Sequence, residues 1–156
     1  MGSVESKPRP EPAPAAAPQE LTQVGALPIR FDDGDPLVML VTSRGTHRWV
    51  IPKGWPMKGR SPHGAAAMEA LEEAGLLGKI EKKKLGSFHY RKRLKNGAVL
   101  LCRVDVFPMR VTRQRKNWLE MHQRVTQWFP WATAAKQVVE PELKELRRHG
   151  ELSASI

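Results

Sequence analysis

The stretch GWPMKGRSPHGAAAMEALEEAGL, from Gly54 to Leu76, constrains the chain more than any other. A glycine-rich loop runs into a short helix whose start and stop are both written locally. Ser61 is a good N-cap, and Pro62 suits the first helical position, where a missing N–H costs nothing. Ala65, Ala66, Ala67 and Ala70 propagate the helix, and Gly75 supplies a left-handed cap. Gly64 stands where Glu or Gln would complete a capping box. Along this helix Glu69, Glu72 and Glu73 are offset by three and four residues, which stacks three carboxylates on one face. Like charges held this close repel unless a cation sits among them. A hard divalent ion such as Mg²⁺ takes carboxylate oxygens and leaves room for phosphates. The plain alternative is a solvated acidic face on a surface helix. On this pattern Ala67, Leu71 and Ala74 pack inward and the glutamates project elsewhere.

Short strands surround the helix. Val24–Phe31 and Leu37–Thr42 are rich in aliphatic residues and are separated by Asp32-Asp33-Gly34-Asp35-Pro36, a strong turn signal. A second turn at Ser43–Thr46 leads into a third strand, His47–Pro52. After the helix come a basic stretch, Lys79–Lys84, and an extended run, Leu85–Leu94. Asn96-Gly97 predicts a hairpin, with Val99–Phe107 as the returning strand. There Leu100, Cys102, Val104 and Val106 alternate with Arg103 and Asp105, as in a half-buried strand. His89, Arg91 and Arg93 share one face of the outgoing arm, which reads either as an extension of the basic patch or, by a small margin, as a solvated hairpin. Residues 110–122 are polar and basic, with Glu120 their only carboxylate. Arg124–Phe129 reads as a last strand, with helices over Trp131–Val139 and Pro141–His149.

A length of 156 residues suits one domain, and the absence of a long apolar run argues against a membrane span. Residues 1–20 are Pro- and Ala-rich with almost no large apolar side chain, so they read as a disordered tail preceding a domain over 21–156. The tail carries Lys7 and Arg9 against Glu5, Glu11 and Glu20, so the formal charge of +10 belongs to the folded part. Such a field attracts anions, whether nucleic acid, acidic lipid or small polyphosphates. The single Cys102 excludes an internal disulfide framework and a cysteine-based metal site, and reads as a buried thiol in a reducing cytosol. No secretory signal precedes the domain, which suggests a cytoplasmic protein. Met1-Gly2-Ser3-Val4-Glu5-Ser6 matches the short myristoylation pattern, but no basic cluster follows it as a second anchor.

Gly54–Leu76 resembles the Nudix box, a twenty-three-residue motif of the form G-x5-E-x7-R-E-U-x-E-E-x-G-U, with U a bulky aliphatic. Gly54, Glu69, Glu72, Glu73, Gly75 and Leu76 match it. Arg60 stands at the first glutamate, Met68 at the arginine and Ala70 at the first U. With RWVIPKGWPMKG and the Trp128–Glu140 region, the likeness extends over roughly residues 24–148. It is nearest to the diphosphoinositol polyphosphate and diadenosine polyphosphate phosphohydrolase-like branch. The resemblance implies an α/β fold, a Nudix-type α/β/α sandwich with a mixed β-sheet. It also implies hydrolysis of a pyrophosphate bond in a highly anionic substrate, with Mg²⁺ or Mn²⁺ and a metal-activated water. In that scheme Glu69, Glu72 and Glu73 hold the metal, and Glu72 or Glu73 helps activate water. In the family the box arginine helps orient the glutamates, a task Met68 lacks the charge to perform.

Arg44, Arg48, Lys53 and Lys58 adjoin the motif and are the cations expected to contact phosphate, although each also reads as plain surface charge. The residues alone read Glu120 as a surface glutamate, while the resemblance marks the late loop as a place for an extra acid. Trp55 is the only Trp inside the motif. Two rival readings stay open: a phosphorylated-ligand-binding module without turnover, and a nucleic-acid-binding protein. The second ranks last, since no RNA- or DNA-reading motif accompanies the charge.

Overall fold

The computed structural model describes residues 20–146. Residues 1–19 of the tail expected over 1–20, the myristoylation pattern and the end of the last helix lie outside the described residues, while Glu20 opens the first strand.

Eight strands form one mixed sheet. They are β1 (Glu20–Asp32), β2 (Asp35–Thr42), β3 (Trp49–Val50), β4 (Lys53–Gly54), β5 (Leu76–Ile80), β6 (Gly86–Arg93), β7 (Val99–Gln114) and β8 (Thr126–Pro130). The main path runs β3-β2-β1-β7-β5, with β4 on β1, β6 on β7 and β8 on β2. The β1–β7 pairing is parallel and the others are antiparallel. Residues Gln23–Ile29 of β1 are buried without interruption. A strand buried over seven consecutive residues has both faces covered there, which is the sandwich that the resemblance implies. Helix α1 (Pro62–Ala74) packs on β1, β4, β5 and β7, and α2 (Trp131–Gln137) packs on β2 and β8. A further helical segment occupies 141–146. Among the described residues no helix is long and apolar enough to cross a membrane.

Local signals worked where they were complete. Asp32 pairs with Asp35, so Asp33 and Gly34 alone make the β1–β2 turn, both with positive φ, as an Asp-Gly turn requires. The Asn96-Gly97 turn also closes a hairpin, but over a longer loop, because pairing stops at Arg93–Val99. Five strand expectations need correction. β1 begins at Glu20 rather than Val24. His47–Pro52 yields only the two-residue β3. β4 lies where only the glycine loop was expected. β5 went unpredicted. β7 continues seven residues past Phe107 to Gln114. The last two belong together, since the polar end of β7 finds its backbone partners in β5, across an irregular register at Leu77/Gly78. Cys102 is buried, as expected.

Candidate active site

Helix α1 starts and stops as its sequence dictates. Ser61 Oγ accepts the Gly64 N–H at 3.1 Å, Pro62 opens the first turn, and Gly75 closes the helix at φ 70°. Its orientation differs from expectation. The face turned into the molecule carries Ala65, Ala66, Glu69, Ala70, Glu73 and Ala74, while Ala67 and Leu71 are only half-buried. Alanines at these positions let the helix sit close to the sheet, and that close approach draws Glu69 and Glu73, one turn apart, inward with them. Glu72 is half-buried. A solvated acidic face is therefore not what the chain builds.

Two glycines of the motif have steric reasons. A Cβ on Gly54 would collide with the Glu69 carboxyl group. Gly75 combines its left-handed backbone with the Trp118 ring, which fills the space a side chain would need. Leu76 follows as the fully buried first residue of β5.

The end of α1 is covered by residues 114–120. Helix ends leave carbonyls unpaired. Here the Glu72 carbonyl accepts from Glu120 N–H (2.9 Å) and the Glu73 carbonyl from Trp118 Nε1 (3.2 Å). The Ala74 carbonyl accepts from Gln114 Nε2 (3.0 Å) and the Gly75 carbonyl from Arg115 N–H (2.8 Å). This coverage carries Glu120 to the helix and corrects its reading as a surface residue, since its side chain is only 16% exposed. It also delivers a residue not foreseen as part of the site. Arg124 donates from Nε to Glu120 Oε1 at 2.8 Å and from Nη1 to the Thr42 carbonyl at 3.0 Å, and its Nη2 lies 3.4 Å from Glu73 Oε2. The one advance signal was the i, i+4 spacing from Glu120, in a stretch that read as the start of a strand. Met68 stands where the resemblance expects an arginine, and Arg124 brings its cation from a distant part of the chain.

The cluster carries more negative charge than Arg124 offsets. Burial raises the Glu73 pKa to about 8, Arg124 opposing and Glu69 and Glu120 adding to the rise. Burial raises Glu69 to about 7, Glu72 adding to it and a hydrogen bond with Glu73 lowering it. Both shifts favour the protonated form of the pair as long as no cation is bound. Among the described residues no three His, Cys, Asp or Glu side chains already form a group suited to a metal. The donor set nevertheless fits a hard divalent cation: all candidate donors are carboxylate oxygens, and the surplus charge is what such an ion would neutralise.

The four predicted cations separate. Lys53 is part-buried, its Nζ 4.4 Å from the centre of the Tyr90 ring and 3.3 Å from its hydroxyl, which donates to Gln23 Oε1 at 2.6 Å. Burial lowers the Lys53 pKa, opposed by Glu73. Glu140, unforeseen as a site residue, also acts on Lys53 and has a buried Oε1 without a hydrogen-bond partner among the described residues. Arg44 and Arg48 lie exposed in the turn after β2. Arg44 donates to Gln123 Oε1 at 2.8 Å, which ties that turn to the segment carrying Glu120 and Arg124, and Arg48 donates to Thr46 Oγ1 at 3.3 Å. Lys58 is exposed in the glycine loop, as is Trp55. His89 is held apart from this group by Glu20 and Glu142.

A mixed sheet covered on both faces, with an acidic helix entered through a glycine loop and turned inward, defines an α/β domain built around a carboxylate cluster. No family model matches the sequence. Individual proteins do. Nudix hydrolase 17, mitochondrial, from Arabidopsis thaliana is 34% identical over 113 residues, 68% of this chain and 60% of that protein. Diphosphoinositol polyphosphate phosphohydrolase 3-alpha from Mus musculus is 30% identical over 116 residues, 73% of this chain and 66% of that protein. The chain thus matches less than two thirds of the length of either relative. A C. elegans Ap4A hydrolase in a binary complex has a similar fold, with a TM-score of 0.65 at 19% identity, covering 86% of this chain and 98% of that one. The NUDIX domain of Shewanella oneidensis NrtR, complexed with ADP ribose, gives a TM-score of 0.62 at 18% identity over 87% and 91% of the two chains. The chain belongs to the Nudix hydrolase superfamily.

Proposed function

We propose that the protein hydrolyses a pyrophosphate bond in a small, highly anionic substrate, such as a dinucleoside polyphosphate, an inositol pyrophosphate or a nucleotide derivative, with Mg²⁺ or Mn²⁺. The observation that carries this reading is the meeting of Glu73 and Glu120 at Arg124, with Glu69 buried beside Glu73 on the same helix and Glu72 alongside. Glu69, Glu72 and Glu73 would hold the cation, with Glu120 as an extra acid. When bound, a divalent ion neutralises phosphate oxygens and lowers the pKa of water. The chain's own residues do the rest. Glu73, or Glu72 beside it, would take up a proton as water adds to phosphorus, a role open to it only in the ionised form that a bound cation favours. Arg44, Arg48 and Lys58 present exposed positive charge to hold a polyphosphate, while Lys53 offers a part-buried amine held on Tyr90. The relatives named for diphosphoinositol polyphosphate and Ap4A agree with this substrate class.

The test is a polyphosphate panel incubated with Mg²⁺ or Mn²⁺, alongside Glu73→Gln. Cleavage that requires both metal and Glu73 is expected. Absence of cleavage across the panel, or a fully active variant, would overturn the reading.

One observation favours a second reading, a module that binds a phosphorylated ligand without turnover: Met68 leaves the helix without a cation of its own beside Glu69. Tight, metal-independent ligand binding in calorimetry with no turnover would support it.

A further inference from the structure

We infer that Arg124 is a positioning residue for the carboxylate cluster, fixing Glu73 and Glu120 so that their remaining oxygens meet a cation. The inference rests on the metal reading above and concerns how this particular chain assembles its site.

Arg124 is anchored independently of the acids it touches. Its Nη1 donates to the Thr42 carbonyl, and its backbone neighbour Val125 exchanges two hydrogen bonds with Thr42: Thr42 N–H to the Val125 carbonyl (3.0 Å) and Val125 N–H to Thr42 Oγ1 (2.9 Å). The guanidinium is therefore held by the end of β2. From that fixed point it reaches two carboxylates on different elements, Glu73 on α1 and Glu120 on the following loop. The ion-pair contacts fall on one oxygen of each, Glu73 Oε2 and Glu120 Oε1. Arg124 is only 11% exposed, so water screens these contacts little. A planar fork spanning three acceptors on three segments is a task for arginine, not lysine.

Positioning and simple charge compensation make opposite predictions. Were Arg124 only a placeholder cation, its removal would leave the cluster more negative and Mn²⁺ would bind more tightly. If it positions the ligands, removal weakens Mn²⁺, by the ~10–100-fold usual for groups that orient metal ligands. The experiment titrates Mn²⁺ into wild type, Arg124→Lys and Arg124→Met, reading free Mn²⁺ by electron paramagnetic resonance and checking each fold by circular dichroism and thermal melting. Weaker binding in both variants is expected, with Lys retaining part of the affinity because it still holds one carboxylate at a time. Should Arg124→Met fail to fold, Arg124→Lys decides alone, with a loss of about tenfold expected. Wild-type or tighter affinity in folded variants would overturn the inference, as would a lowered melting temperature with unchanged Mn²⁺ binding. A wild type that binds no Mn²⁺ would overturn the metal reading itself, a result distinct from variants that match a binding wild type.

Discussion

Arg124 Nη2 lies 3.4 Å from Glu73 Oε2, and both side chains are almost wholly withdrawn from solvent. One cation among Glu69, Glu73 and Glu120 leaves a surplus of negative charge, so the metal-free protein is expected to be pH-sensitive in a defined direction. Burial raises Glu73 to about 8 and Glu69 to about 7. Acids with raised folded-state pKa values contribute stability that is fully present below the unfolded pKa of about 4.5 and is lost as pH rises through the folded values. The melting temperature without metal should fall between roughly pH 5 and pH 8, and thermal melts across that range check it.

Glu73→Gln removes the group with the higher of these two pKa values. Turnover is expected to fall by about 10²–10⁴, the range for losing a positioned proton-transfer group. The metal-free variant should melt at or above the wild-type temperature at pH 8, with a flatter pH profile. Kinetics and melting on the same preparation test both statements.

Metal should act in the opposite sense to protons. A divalent ion requires ionised carboxylates, so its binding is expected to release protons and to favour higher pH. Saturation at one hundred times Kd would stabilise the fold by about 2.7 kcal/mol, and a chelator should reverse the effect. Calorimetry in buffers of different ionisation enthalpy reads the proton release.

Gly54→Ala would push a methyl group into the Glu69 carboxyl, at an expected cost of about 1–3 kcal/mol as overpacking. Activity should suffer more than stability, because the displaced group is a candidate ligand. Gly75→Ala should do the reverse. It combines a positive φ with the Trp118 ring and is expected to destabilise by more than about 1 kcal/mol. Denaturant melts of the two variants, compared with their kcat values, separate the cases.

The exposed pair Arg44 and Arg48 should act on substrate capture. Changing both to Ala is expected to raise KM several-fold with kcat and melting temperature near wild type, since such substitutions remove binding common to ground and transition states. The effect should shrink in high salt.

These expectations draw unequally on what the sequence made legible. The limits of α1 were readable because Ser61, Pro62 and Gly75 act on their immediate neighbours, and Asp33-Gly34 specified its turn for the same reason. The inward rotation of Glu69 and Glu73 was not, because helical spacing says which residues share a face but not which face meets the sheet. Alanine at 65, 66, 70 and 74 permits the close approach that turned the acids inward, a signal that competed with the rule that charges face water. β5 escaped because Leu76–Ile80 carries Gly78 and Lys79 and depends on pairing with the polar end of β7. Arg124 was hidden most deeply, since Thr42 and Glu73 become its neighbours only after the sheet forms.

Residues 114–120, polar and basic, have the composition of a surface connection that tolerates insertions and deletions. Their bonds to four successive carbonyls of 72–75 give them a fixed length instead. Removing or adding one residue between Trp118 and Arg124 would keep the ring on Gly75 only by carrying the guanidinium away from Glu73. Residues 118–124 are a spacer whose residue count, more than its chemistry, sets where the charge arrives.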